Sequence, residues 1–238
     1  LTYDMLDEER KESFDTYSIS VQHFMDITED EVAEIMSRLN NGKPLSGVEN
    51  ARIKAKDLAT IIDLAKHPVF TDYLTETAIK GYANEDLVIK TYMQVYEGNN
   101  ELSVKNVKGV YENHIFSDEE KKDLVSAFDM AYEIISNIQN SEAPKKVFKK
   151  LIAKTNFCAV LKFSFDNRNG SSEKIADFFK FFFNATDGVS VSDDYNEAMT
   201  NGTNHAGNVD VRNTVITEQF ETYDNTDKTE DTTEGVGA

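Results

Sequence analysis

Two stretches of this sequence gather side chains able to hold an anion. The first is Arg38-Leu39-Asn40-Asn41-Gly42-Lys43-Pro44-Leu45-Ser46, followed by Glu49 and Arg52. Arg38 and Asn40 fall at the end of one predicted helix, and Ser46 and Glu49 at the start of the next. Arg38 and Lys43 beside exposed backbone N–H groups suit a phosphate of a bound nucleotide, because guanidinium groups and helix N-termini both favour anions. The same residues also describe an ordinary capped turn, with Gly42 free to adopt a left-handed backbone and Glu49 complementing the helix dipole. Spacing alone leaves both readings open. The second stretch runs from Asp194-Tyr195-Asn196-Glu197-Ala198 through Asn201-Gly202-Thr203-Asn204-His205 to Arg212. It reads either as a polar surface loop or as a loop in which Tyr195, Asn196 and Thr203 fold onto a ligand or partner, with Arg212 pairing to a carboxylate or phosphate.

The remaining chemical inventory is thin. The sequence contains no Gly-rich phosphate loop, no paired-cysteine metal site and no His-Glu-x-x-His helix. His23, His67, His114 and His205 lie far apart without ligand spacing, and capping or surface roles are expected for them. The single Cys158 excludes an intramolecular disulfide and sits in the apolar run Phe157 to Leu161. A buried, inert thiol is expected, in keeping with a reducing cytoplasm. No metal is expected, and no cofactor within this chain.

The 238 residues carry a formal charge of -18. From Glu218 onward, seven acidic residues and one lysine account for -6, which leaves -12 on the body. A body so acidic repels phosphate backbones, so autonomous nucleic-acid binding is not expected. The one local basic cluster, Lys145, Lys146, Lys149 and Lys150, reads as a solvated helix face. No apolar run reaches the roughly 20 residues needed to span a bilayer.

Periodicity supplies the elements. Asp7 to Phe14 reads as a short charged helix. Tyr17, Ile19 and Val21 alternate with Ser18, Ser20 and Gln22, the pattern of one half-buried strand. Thr28 with Glu31 forms a capping box before Val32, Ile35, Met36 and Leu39. Ser46 is expected to cap one continuous helix carrying Val48, Ile53, Leu58, Ile61, Ile62 and Leu64 as far as His67-Pro68. Further helices are expected over Leu87 to Tyr96 (capped by Asn84), Val104 to Tyr111 (capped by Ser103), and from Ser117 and Glu120 through Leu124, Phe128, Ala131, Ile135 and Ile138. Others follow near Pro144 to Ala153, Phe157 to Phe163, Ile175 to Phe183 and Val209 to Tyr223. Phe178, Phe179, Phe181, Phe182 and Phe183 are assigned to the core. Thr186 to Asn208 is a polar loop long enough to be functional or mobile, and Asp224 to Ala238 has the composition of a disordered tail.

The segments Tyr17-Ser18-Ile19-Ser20-Val21, Thr28-Glu29-Asp30-Glu31-Val32, Met36-Ser37-Arg38-Leu39-Asn40 and Gly42-Lys43-Pro44-Leu45-Ser46 with Glu49 resemble a block of the ParB-like domain family of the GmrSD-type restriction enzymes. Thr28 to Glu49 carries the resemblance most specifically. Tyr195-Asn196 through Gly202-Thr203 to Arg212 resembles the distal helical part of some phage or prophage members. The resemblance implies nucleotide dependence and a role in defence against phage DNA. It also implies an N-terminal ParB/sulfiredoxin-like domain whose Asp-Gly-Gln-Gln-Arg motif is linked to nucleotide binding and hydrolysis, and in some members a His-Asn-His nuclease domain. Neither the Asp-Gly-Gln-Gln-Arg motif nor a nuclease domain occurs in this sequence, and Met36 stands where Phe is expected.

The resemblance thus implies a downstream helical portion that is not catalytic alone. Arg38, Asn40, Lys43 and Glu49 would border a nucleoside triphosphate site completed by an N-terminal ParB-like segment or another protein. Leu1, set directly before a charged segment, reads as a boundary cut within a longer protein. The expected fold is mainly α: a helical bundle with a small N-terminal α/β remnant. Residues 1–66 would form the remnant with its Arg-Leu-Asn helix-turn-helix unit, 67–223 a helical domain and 224–238 the tail. An alternative of a different class is a non-catalytic, phage-encoded acidic interaction module whose charge steers it to a basic partner.

Overall fold

The structure, a computed structural model, describes residues 2–21, 23–28, 31, 32, 35 and 47–231, with side chains described as far as residue 225. The described residues are mainly α-helical, as expected, and contain no strand. The chain divides into two compact units at Asn41/Gly42, not at the 66/67 boundary expected.

The N-terminal unit, Leu1–Asn41, opens on a 3-10 turn, Tyr3–Met5, and helix α1, Glu8–Asp15. The Asp7 carboxylate accepts the Arg10 N–H at 2.9 Å and caps α1. The Tyr3 ring packs against Phe14, and its hydroxyl donates to Asp15. The strand expected over Tyr17 to Val21 does not form, which corrects the α/β remnant. Tyr17, Ile19 and Val21 are 76%, 77% and 84% exposed. Alternation creates two faces, but a strand is stable only where a neighbour takes up its backbone hydrogen bonds, and no second strand exists among the described residues. The capping box does form: the Glu31 N–H donates to Thr28 Oγ1 at 3.3 Å, and the Thr28 N–H to Glu31 Oε2 at 2.8 Å.

The second unit, Gly42–Ala238, holds the core. Its helices are α2 (Gly47–Ile53), α3 (Leu58–Leu64), α4 (Pro68–Thr71), α5 (Glu76–Lys80), α6 (Ala83–Val95), α7 (Val104–Asn113), α8 (Asp118–Gln139), α9 (Lys145–Leu151), α10 (Lys154–Asp166), α11 (Ser172–Phe182), α12 (Asp193–Glu197) and α13 (Ala206–Asp231). Helix α8 is the centre, packed on both α10 and α11. A complete capping box between Ser117 and Glu120 starts it. Leu124, Phe128, Ala131, Ile135 and Ile138 recur on one face at helical spacing and are buried. Helix α10 also touches α6 and α13, so it is enclosed on several sides. Accordingly Phe157, Val160 and Leu161 are fully buried. Four of the five clustered phenylalanines join the core, and Phe181 instead lies half-exposed beside Tyr223.

Three expectations change. The single helix from Ser46 to Leu64 is two, because the Lys56 N–H leaves the helical ladder for the Tyr111 carbonyl and the Asp57 carboxylate turns to the Phe116 N–H. Helix α6 is preceded by Tyr82 in a left-handed conformation (φ 59°), and Asn84 caps nothing: its amide donates to the Ala65 carbonyl. The segment expected as a disordered tail is helical to Asp231 as the end of α13.

Candidate functional site

The chemistry of the second unit concentrates on one buried face of α6. Asp86, Lys90 and Gln94 succeed one another at helical i, i+4 spacing, with Glu85 beside them, and all four are buried. Charged groups this deep require partners, and two separate clusters provide them.

In the first cluster Glu85 pairs with Arg52 of α2 and accepts from the Tyr111 hydroxyl at 3.4 Å. The Arg52 guanidinium lies 4.1 Å from the centre of the Tyr82 ring, a favourable cation–π placement. Burial, followed by the charge of Glu85, pushes the Tyr111 hydroxyl well above its ordinary range, so Tyr111 stays a proton donor. Helix α2 itself packs on α7. Gly47 makes the approach possible, since a Cβ there would collide with Val104.

In the second cluster Asp86 receives two ammonium groups, Lys90 at 3.1 Å and Lys154 of α10 at 2.8 Å. Lys90 also donates to Asn204 Oδ1 at 3.3 Å. Gln94 donates to the Cys158 thiol at 3.2 Å and accepts from the Asn213 amide at 3.0 Å. Burial raises the Cys158 pKa, so the thiol is protonated and a poor nucleophile, the inert role expected of it. Arg212 of α13 closes the cluster.

The residues singled out beforehand fall into distinct places. Arg38, Asn40 and Lys43 lie outside the described residues. Glu49 is in the first turn of α2. The 186–208 stretch, expected as a polar loop, functional or mobile, folds onto its own body and contains α12. Tyr195 is fully buried against Phe182 and donates to Asn156 Oδ1 at 3.0 Å. Asn196 Oδ1 accepts the Val189 and Ser190 N–H groups, both at 2.8 Å. Thr203 contributes its carbonyl to Arg212 at 2.6 Å, and Arg212 donates a second time to the Ala198 carbonyl at 3.0 Å. Tyr195, Asn196 and Thr203 thus serve the packing of this loop, and of the four only Arg212 reaches the buried polar cluster.

The histidines are also engaged in structure. His67 Nδ1 accepts the Val69 N–H at 3.2 Å and so caps α4, while Nε2 faces Asp129 at 3.1 Å. A nitrogen that accepts is unprotonated, so the ring's proton is assigned to Nε2. His114 stacks on Tyr92 and faces Glu120 at 3.3 Å. Lys146 and Lys150 of the basic cluster both donate to the Ala185 carbonyl, at 3.3 and 3.1 Å. Burial, then the neighbouring Lys146, holds the Lys150 pKa below the usual lysine value.

What sequence reading missed was the buried polar face of α6. Its signal was present: Asp86, Lys90 and Gln94 interrupt Leu87-Val88-Ile89 and Tyr92-Met93, whose apolar residues point around much of the helix. Such a helix is enclosed, and its charged stripe must then be enclosed with it.

No protein-family model, curated protein or solved structure matches this chain. No helix among the described residues is long and apolar enough to cross a membrane.

Proposed function

We propose that this chain is the helical portion of a GmrSD-like, nucleotide-dependent defence or phage protein, in which the helical body responds to a nucleotide and is not catalytic alone. The support begins with the family-like block of Thr28 to Glu49. The single observation that carries the reading into the structure is the attachment of α2. This helix directly follows Gly42-Lys43-Pro44-Leu45-Ser46 and is locked to the body through the buried Arg52–Glu85 pair. The residues proposed to contact a nucleotide phosphate are Arg38, Asn40, Lys43 and Glu49, of which Glu49 lies in the first turn of α2. The test is calorimetric titration of nucleoside triphosphates into the intact protein and an Arg38→Ala variant. The expected result is saturable binding weakened roughly tenfold or more in the variant, the scale of one lost charge-assisted contact. Equal affinities would remove Arg38 from the site, and no binding to either protein would end the nucleotide reading.

A second reading is favoured by a specific feature. A groove of about 490 Å³ between α12 and α13 carries the carboxylates of Asp194, Glu197, Asp210 and Glu218 around Val211 and Val215, with no lysine or arginine in its lining. That combination suits a basic segment of a partner protein with an apolar anchor, as a non-catalytic acidic interaction module requires. Charge-reversal at the rim, Asp210→Lys with Glu218→Lys, is expected to abolish salt-sensitive capture of a Lys/Arg-rich peptide. Unchanged capture would exclude the groove.

A further inference from the structure

We propose that the cavity between α6, α10 and α13 is a binding site for a small oxyanion, a phosphate group in particular. The cavity has a volume of about 100 Å³ and is lined by Lys90, Lys154, Arg212, Thr155, Asn204 and Cys158, with Leu87 and Leu102 as its apolar wall. One water needs only about 10–15 Å³ of such space, so a phosphate group fits, whereas the base and ribose of a nucleotide do not fit with it.

The charge balance of this lining is unusual for so acidic a chain. Three cations border the cavity, and the two lysines share one carboxylate, Asp86. Among the described residues no carboxylate lies within ion-pair distance of Arg212, whose side chain takes only the Ala198 and Thr203 carbonyl oxygens. Arg212 is 3% exposed, and its Nε–H has no acceptor. A buried guanidinium without a counter-charge is costly, and desolvation accordingly lowers its pKa. An anion in the cavity supplies what is absent: a counter-charge for Arg212 and an acceptor for its Nε–H. Lys154 stands at the entrance, its side chain 52% exposed even while it pairs with Asp86. The Thr155 hydroxyl and Asn204 amide add neutral donors. Cys158 is protonated and does not oppose the charge. Asp86 is the competing group: it neutralises one of the three cations and leaves an excess of two. Planar carboxylates are held less well than phosphate here, because the donors come from three helices and the Asn204 loop and so surround the cavity instead of facing it from one side.

This inference is independent of the nucleotide site near Arg38, and its test does not touch that residue. Inorganic phosphate is titrated at constant ionic strength into the full chain, and the Arg212 Nε–H resonance is followed by ¹H–¹⁵N NMR. The expected result is a saturable shift of that resonance in the millimolar range or below. Lys154→Met is expected to weaken binding about tenfold, and Lys149→Met, an exposed lysine outside the cavity, to leave it unchanged. Thr155→Glu, which places a carboxylate among the cations, is expected to abolish the shift while the circular dichroism of all three variants stays that of the wild type, which separates lost binding from misfolding. A parallel titration with a nucleoside triphosphate distinguishes the source. A Lys154-dependent shift with phosphate alone identifies a free anion, and one with both identifies a terminal phosphate group. An Arg212 resonance that does not move, or moves equally in Lys154→Met and Lys149→Met, overturns the proposal.

Discussion

At the scale of single residues, Arg52 and Glu85 are the pair whose loss should be felt most. Both side chains are largely buried, and each is the other's counter-charge. Breaking such a pair from one side leaves an uncompensated charge, at a cost of about 3–5 kcal/mol, whereas replacing both partners with apolar groups is often close to neutral. Arg52→Met is therefore expected to lose about 3 kcal/mol in urea unfolding, and the double variant Arg52→Met/Glu85→Leu to recover at least half of that. A double variant as unstable as the sum of the singles would show that the two charges are not coupled. Tyr195, buried elsewhere in the core against Phe182, gives a smaller effect. Tyr195→Phe leaves Asn156 Oδ1 without its donor in the core and should cost about 1–2 kcal/mol, read as a lower urea midpoint with an unchanged slope.

Element by element, the legible parts were those governed by local chemistry. Asp7, Ser103, and Ser117 with Glu120 all cap the helices they were expected to start or border, because a cap is decided within a few residues. The apolar stripe of α8 was likewise plain, since one helical period repeats over about four turns, from Leu124 to Ile138. What failed depended on distant groups. Nothing near Lys54 to Asp57 breaks a helix by its own propensity; the partners that break it, Tyr111 and Phe116, are more than fifty residues away. Tyr17 to Val21 alternates as a strand does, yet pairing depends on a neighbour that local pattern cannot supply. The 186–208 stretch is polar by composition, but Tyr195 and Arg212 pin it to the body through side-chain hydrogen bonds. In the candidate site, Arg212 was visible as a basic residue closing a polar loop, while its companions Lys90, Asp86 and Lys154 were not singled out, because only packing against distant helices encloses Asp86 and Lys90 and brings Lys154 to Asp86.

The break between α2 and α3 accordingly has a testable basis. Burial pulls the Asp57 carboxyl upward, but hydrogen bonds from Thr60 and the Phe116 N–H outweigh it and hold its pKa below the ordinary value. Such a depressed pKa adds stability above the unfolded value that is lost as pH falls through the folded one. Asp57→Ala should cost about 1–2 kcal/mol at neutral pH, and the difference between wild type and variant should shrink as the pH falls from the ordinary aspartate value, near 4, through the lower value of the folded state, where the wild-type carboxylate at last takes up its proton. A difference that stays constant across that range would show that ionised Asp57 does not hold the junction.

For the molecule as a whole, the decisive titration lies on the alkaline side. Burial, followed by the charges of Glu120 and Glu97, raises Tyr92 to about 12, and burial with Asp123 raises Tyr96 to about 12. Tyr111 and Tyr195 are driven up further, chiefly by burial. The neutral phenol is thus the form that the fold retains. Below pH 10 both folded and unfolded chains carry neutral tyrosines, and the full stability is present. Above it the unfolded chain releases protons that the folded chain keeps, so stability falls with rising pH until the folded values are passed. For the nearly buried Tyr92, a rise from 10 to about 12 corresponds to roughly 2–3 kcal/mol lost across that window. The chain's charge of -18 adds self-repulsion in the same direction, so wild type alone does not separate the two effects. Tyr92→Phe does, because it removes one titrating phenol and leaves the remaining charges in place. Its thermal midpoint should sit below wild type at pH 8, where the hydrogen bond to His114 is lost, and the gap should close between pH 10 and 12. Parallel curves for the two proteins across that interval would mean that general repulsion, and not the buried tyrosines, sets the alkaline limit of the fold.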